Sequence, residues 1–386
     1  MTSTFQIPPL AELRRRQSAK WHTFPEDILA LTVAEMDFPL AEPVAAALHD
    51  AIRRSDTGYA APTGDLADAV ADFADRTWGW RLDPAGVHTV ADVGIGIVET
   101  LRRIVAPGDA VVISPPVYEP FSWWVREVGA HLVQVPLTET PRAEDDYPGP
   151  RLDLDALEQA FAEGARAYLL CSPHNPLGLV HPREDLIALA ELADRYGVFV
   201  LADEIHAPLV LAGAEFVPFL SVSDDARRWG FSFLSASKGW NLAGLKATVI
   251  VTADRAPRRY VDRLSPHCLY RTGHLGVIAT VAALNEGDPW LAEVLDILDR
   301  NRVLLAELLE KHLPVAQCIP AQASFLAWID LRELGWGEDP AAHILATAKV
   351  ALNAGHRYGS PGFARLNFGC APETLTEAIT RIAEYC

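Results

Sequence analysis

The sequence predicts an α/β fold with three parts: a large domain holding a mainly parallel seven-stranded sheet between helices, a smaller α+β C-terminal domain, and an N-terminal arm. Three observations predict it. Short apolar runs alternate with helical patterns from Val87 to Val251, the signature of parallel strands joined by crossover helices. Beyond about residue 275 that alternation gives way to one long helical run and then scattered strand-like segments. Before residue 45 the sequence is irregular but holds apolar anchors. The expected boundaries are therefore 1–45 for the arm, which packs on the small domain, 46–275 for the large domain and 276–386 for the small one. A chain of 386 residues is too long for one small core.

The elements follow in order. Trp21-His22, Phe24-Pro25 and Met36-Asp37-Phe38-Pro39 anchor the arm, and Arg14-Arg15-Arg16 reads as the solvated face of a short helix. Pro43 opens an amphipathic helix to Arg53 with Val44, Ala47, Leu48 and Ile52 on one face. Residues 58–64 form a loop. Asp65 caps the next helix, which turns Leu66, Val70 and Phe73 inward. Strands are expected at 87–90, 110–114, 131–135, 167–172, 198–202, 231–234 and 248–251, with helices between most of them, such as 95–104 and 183–195. Residues 138–152, rich in charge and proline, read as an exposed excursion. The C-terminal part carries a long helix over 289–313, strands at 324–329 and 364–368, and helices at 340–349 and 373–385. Trp123-Trp124 reads as core packing, with a lining of the substrate entrance as the alternative.

Composition removes several function classes. The net charge of −18 argues against a nucleic-acid surface. No apolar run reaches the length of a membrane span, and the N-terminus lacks a hydrophobic signal region. A cytoplasmic location is expected. The five cysteines are odd in number and scattered, with no CxxC pair or Cys/His cluster, so neither a disulfide framework nor a metal site is expected.

The chemistry centres on Lys238. Lysine is rare, and two of the five, Lys238 and Lys246, fall in the stretch from Ser235 to Lys246. An amine set among Ser, Ala and Gly between two strands is partly desolvated. Desolvation disfavours the ammonium and leaves a better nucleophile toward a carbonyl, as a Schiff-base lysine requires. Other polar residues sit at the C-terminal ends of the expected strands, where ligands bind in open parallel sheets. Val93-Gly94-Ile95 enters a helix with free amides suited to a phosphate. Tyr118 follows Pro115-Pro116-Val117, Asn175 lies in Pro173-His174-Asn175-Pro176, and Asp203-Glu204-Ile205-His206 follows another strand. Pyridoxal 5'-phosphate accounts for all of them. It has a phosphate for the helix start, a ring for an aromatic to stack on, a phenolate oxygen that needs donors, a ring nitrogen that needs a carboxylate, and an aldehyde that needs a lysine.

With these residues in place, the chain resembles the fold-type-I pyridoxal-phosphate enzymes of the class I/II aminotransferase superfamily, and most closely their cystathionine β-lyase-like (C–S lyase) branch. The resemblance spans nearly the whole chain. Its carriers are Lys20-Trp21, the segment from Val33 to Phe38, Gly58-Tyr59, the segment from Pro115 to Phe121, Pro173-His174-Asn175-Pro176, Asp203-Glu204-Ile205-His206, Ser235 to Lys246, and Arg365 to Cys370. It implies Lys238 as Schiff-base lysine and proton shuttle, Asp203 as partner of the ring nitrogen, Tyr118 as the stacking aromatic and Asn175 as donor to the phenolate oxygen. His206 lies near that same oxygen. Ser235, Ser237, Lys246 and the amides of Val93 and Gly94 are implied at the phosphate. Arg365 is the implied clamp for the substrate α-carboxylate, with Ala34, Asn175 and Tyr118 also at the substrate. Tyr59 is implied to reach the neighbouring subunit's cofactor in a homodimer. Glu35, Ser172, Gly239 and Trp240 depart from the branch pattern and are read as surrounding the substrate.

The implied reaction is α,β-elimination on an L-cysteine S-conjugate, a cystathionine-like thioether. Aminotransfer, or decarboxylation or oxidative deamination of a specialised amino acid, uses the same residues and stands as the alternative. A regulatory binding protein retaining the fold is the alternative of another class.

Overall fold

The computed structural model describes residues 6–61, 64–138 and 149–385. Seven strands make the central sheet: β1 (Val87–Val90), β2 (Ala110–Ile113), β3 (His131–Gln134), β4 (Ala167–Cys171), β5 (Phe199–Asp203), β6 (Gly230–Leu234) and β7 (Thr248–Val251). Their order is β1-β7-β6-β5-β4-β2-β3. The pairs from β6 through β3 are parallel, while β7 runs antiparallel to both β1 and β6. The central strands are buried along their whole length, because helices cover both faces and near-continuous apolar runs are needed there. Alternation still sorts each strand between two cores. In β4, Ala167, Leu169 and Cys171 face one core with Phe199, Phe231 and Phe233, while Tyr168 and Leu170 join the other.

Register aligns the strand ends. Cys171 pairs with Asp203 across β4 and β5, and Asp203 with Phe233 across β5 and β6. The expected strand 198–202 is shifted by one residue, which makes Asp203 the last residue of β5 rather than the first of the loop.

A four-stranded antiparallel sheet follows the long helix Asp288–His312: β8 (Gln317–Cys318), β9 (Leu326–Asp330), β10 (Asn353–Ala354) and β11 (Phe363–Asn367), in the order β10-β11-β9-β8. Helix Pro340–Ala348 packs on it, and helix Pro372–Ala383 packs against Asp288–His312 and Pro340–Ala348. The arm is less irregular than its sequence. It contains the short helices Leu10–Leu13 and Ala19–His22, and Leu29–Ala30 pairs in parallel with Val350–Ala351. Met36 and Phe38 are buried anchors. Arg16 is not simply solvated, since its guanidinium donates to the carbonyl of Phe38 at 3.2 Å.

The seven-stranded sheet falls within 46–275 and the four-stranded sheet within 276–386, and the three-part division stays a proposal on that basis. Helix His274–Glu286 packs against Glu42–Arg53 and Gly64–Trp78, on the large-sheet side of that division. Of the expected excursion at 138–152, residues 139–148 lie outside the described residues, as do Pro62 and Thr63 of the 58–64 loop. Among the described residues no helix is long and apolar enough to cross a membrane, and no cluster of three metal-ligating side chains occurs.

Candidate active site

A cavity of about 570 Å³ opens at the C-terminal ends of β4 and β5, between the two sheets and the arm. Its volume is ordinary for a small-molecule site. Lys238 enters it from the one-turn helix Ala236–Gly239. Ser235 caps that turn: its hydroxyl accepts the Ser237 N–H at 3.1 Å and donates to the Ala247 carbonyl at 2.8 Å. Lys238 Nζ donates to the Ala34 carbonyl at 2.9 Å. Burial, and then the Arg365 charge, push Lys238 down to about 8, against the opposing pull of Glu35 and Asp203.

Asp203 ends β5 beneath the cavity. Burial lifts its carboxyl to about 6, and the Ile205 N–H, donating to Oδ1 at 3.2 Å, and Lys238 hold it from rising further. A buried carboxyl with so few hydrogen bonds is poised for a cationic partner. His206 shares a 3.0 Å hydrogen bond through Nδ1 with Ser324 Oγ. Burial, then the Lys238 and Arg365 charges, drive it down to about 3, so its ring is neutral.

Arg365 comes from β11 and is buried. Pairing with β10 sets it opposite Asn353. Nη1 donates to Asn175 Oδ1, and Nη2 to the Thr32 carbonyl and Asn353 Oδ1, each at 3.0 Å. Nε has no partner. The Tyr358 ring lies 5.2 Å from the guanidinium. Asn175, committed through Oδ1, has its NH2 available to a ligand oxygen.

The helix Val93–Ile104 starts at the opposite wall with Val93 and Gly94 on the cavity. A Cβ at Gly94 would lie 2.9 Å from the Trp124 ring, so only glycine lets the indole cover the helix start. Asp92 caps this helix by accepting from Ile95 N–H at 2.9 Å, and its other oxygen takes Lys246 Nζ at 3.3 Å. Tyr118 meets Trp124 edge to face with centroids 6.0 Å apart. The arm closes one side. Asn367 Nδ2 donates to the Val33 and Glu35 carbonyls, Asn241 exchanges two hydrogen bonds with the Met36 backbone, and Lys20 pairs with Asp37 in full burial.

The structure thus brings Val93, Gly94, Tyr118, Asn175, Asp203, His206, Ser237, Lys238, Lys246, Arg365 and Ala34 onto one cavity. Ser235 does not line it, and sits one layer behind as the cap. Tyr59 is 80% exposed and packs edge-on against Tyr270 at 5.7 Å, away from this chain's own cavity. None of Glu35, Ser172, Gly239 and Trp240 lines the cavity. Trp240 is buried in the core, its indole N–H donating to the Gly287 carbonyl at 3.2 Å and its ring edge-on to Phe73. Gly239 sits against Pro208, whose Cβ would be 3.0 Å from any added Cβ. These two departures accommodate packing behind the lysine. Trp123 and Trp124, expected in the core, line the cavity instead, and Trp123 is about half exposed. Sequence reasoning missed Asp92, Glu119, Asn353, Arg357 and Tyr358, which also line it. Glu119 carried a signal, standing directly after Tyr118. Asn353 sits on the two-residue strand β10, and Arg357 and Tyr358 on the single turn of 3-10 helix that follows it, elements too short to show a periodicity.

The donor set fits pyridoxal phosphate: a desolvated amine, a buried under-bonded carboxylate, a half-buried aromatic, a free amide NH2, and two helix-start amides beside a lysine. The family model for aminotransferase class I and II matches residues 26–382. The chain is 42% identical to a candidate cystathionine β-lyase of Mycobacterium leprae, over 97% of this chain and 96% of that one. It is 36% identical to a cystathionine β-lyase of Corynebacterium glutamicum, over 98% and 99%. The crystal structure of a candidate PLP-dependent β-cystathionase from Corynebacterium diphtheriae superposes with a TM-score of 0.91 at 34% identity, covering 98% of each chain. Site and comparisons agree: the chain belongs to the class I and II aminotransferase family, within its pyridoxal-phosphate-dependent, cystathionine β-lyase-like branch.

Proposed function

We propose that this pyridoxal-phosphate-dependent carbon–sulfur lyase acts on an L-cysteine S-conjugate, a cystathionine-like thioether, by α,β-elimination. With one water consumed, the products are a thiol, pyruvate and ammonia. The observation that carries the reading is the meeting of Lys238, Asp203 and Arg365 on one cavity. The names of relatives at 36–42% identity support the choice of a C–S bond.

When bound, the cofactor supplies an aldehyde for the substrate amine and an electron sink for the Cα electron pair. The chain's residues do the rest. Arg365 grips the α-carboxylate through its remaining N–H groups. The neutral Lys238 amine takes the Cα proton and delivers it to the departing sulfur. Its lowered proton affinity suits both transfers near neutral pH. Asp203 holds positive charge at the ring nitrogen. The Asn175 NH2 steadies the ring oxygen, with His206 beside it. Tyr118 covers the ring, and Ser237, Lys246 and the Val93 and Gly94 amides hold the phosphate.

We further place the enzyme in the cytoplasm as a homodimer in which Tyr59 serves the neighbouring site. The exposure of Tyr59 and Tyr270, at 80% and 56%, supports a partner there. The test of the reaction is incubation of the purified holoenzyme with S-ethyl-L-cysteine. Thiol and pyruvate are expected in equal amounts, and Lys238→Ala is expected to give neither. A sulfur-bearing keto acid with no free thiol would assign aminotransfer instead.

A further inference from the structure

A second cavity of about 440 Å³ adjoins the first, and the two share Glu119, Trp123, Arg357 and Tyr358 as walls. The partition between them is an ion pair: Arg357 Nε donates to Glu119 Oε2 at 2.8 Å. Tyr358 lines both cavities while its ring lies against Arg365, so the second cavity begins just beyond the carboxylate clamp. Its charged lining is lopsided. The guanidiniums of Arg126 and Arg357 stand against the Glu119 carboxylate alone, and Glu119 is already neutralised by Arg357. Arg126 has no ion-pair partner among the described residues. Ser122 and Gln134 add neutral hydrogen-bonding groups.

We propose that this second cavity is the subsite for the far end of the leaving group, that it selects thiol fragments carrying a carboxylate, and that the Glu119–Arg357 pair is its gate. The proposal rests on the lyase reading given above. A conjugate held by its amine and α-carboxylate at Lys238 and Arg365 must direct its sulfur substituent away from both. The adjoining volume lies past Glu119 and Arg357. An alkyl tail gains nothing from two guanidiniums. A carboxylate gains charge-assisted, bidentate partners. To be received, it takes Arg357 from Glu119, so Glu119 is a competitor that weakens the hold on the carboxylate and leaves a neutral tail unaffected.

The test compares kcat/KM of the holoenzyme for S-(2-carboxyethyl)-L-cysteine and S-ethyl-L-cysteine, with thiol release as the readout. The ratio should favour the carboxyethyl conjugate by about tenfold in low salt. Arg126→Gln and Arg357→Gln should each cut that ratio several-fold, chiefly through KM. Glu119→Gln should raise it, because the competing charge is gone. All three side chains are at least partly exposed, so folding is not at stake. A wild-type ratio near one, or arginine variants that leave the ratio unchanged, would overturn the inference. Absence of thiol from either conjugate would instead overturn the lyase reading on which it rests.

Discussion

Replacing Arg365 by lysine tests the clamp while keeping the charge. A guanidinium carries five N–H groups. Three are committed to Asn175, Thr32 and Asn353, which leaves two, including the unpartnered Nε–H, for a ligand carboxylate. Lysine keeps a positive charge but loses the planar fork, and with it one of two charge-assisted hydrogen bonds. Each such bond is worth about 1.5–3 kcal/mol, so kcat/KM should fall about 10- to 160-fold. The assay is steady-state thiol release from S-ethyl-L-cysteine, with cofactor content measured by absorbance as a control. The loss should sit mainly in KM if the clamp holds ground state and transition state alike. S-ethyl-cysteamine, which lacks the α-carboxylate, should bind the two proteins with similar affinity. An unchanged kcat/KM, or an equal loss of affinity for the cysteamine, would refute the clamp.

Three further outcomes follow from the geometry. Burial lifts Glu204 to about 7, while Phe219 N–H and Ser232 oppose it; its neutral form therefore stabilises the fold fully below the unfolded carboxyl value and loses that contribution as pH rises through 7, by about 3 kcal/mol in all. The Tm of holo Glu204→Gln, read against wild type, should accordingly climb between pH 5 and 8, and parallel pH profiles would contradict this. Trp240→Phe removes the Gly287 hydrogen bond from a packed site, so Tm should drop by an amount equivalent to about 1–3 kcal/mol while relative kcat/KM among conjugates holds; a changed substrate ranking would return Trp240 to the substrate's surroundings. Asp92→Asn keeps the helix cap but frees Lys246 of a competing carboxylate, so pyridoxal phosphate should dissociate several-fold more slowly in dialysis, on the order of 1 kcal/mol, and faster loss would sink that account.

Most of the sheet was legible because its strands are buried on both faces and must read as apolar runs of about strand length, whatever their neighbours. Lys238, Asp203 and Asn175 were legible because each follows such a run, where the chain leaves the sheet toward the ligand. The antiparallel placement of β7 was not, since a strand's direction leaves no mark on its composition. Trp240 misled because its position two residues after Lys238 says nothing of the side its ring takes, and Phe73 and Gly287 decide that from distant sequence. Trp123 and Trp124 misled for the converse reason: large apolar rings are read as core, yet Gly94 leaves room for Trp124 only at the cavity wall. Asn353 and Arg357 escaped because their positions depend on β10 and the turn after it, a two-residue strand whose existence rests on pairing with β11.

The ties between the arm and the rest of the site also bear on when a newly made chain becomes active. The arm leaves the ribosome first, yet the groups that hold it, Val350–Ala351, Arg365 and Asn367, leave nearly last. The carbonyl that holds the Lys238 amine comes from residue 34. Synthesis can finish the seven-stranded sheet long before that carbonyl has a fixed place. A chain that lacks residues 350–367 is therefore expected to be inactive toward cysteine conjugates. Ribosome-stalled chains ending before residue 350 should show a folded sheet by protease resistance but release no thiol, and thiol release from such chains would disprove the dependence.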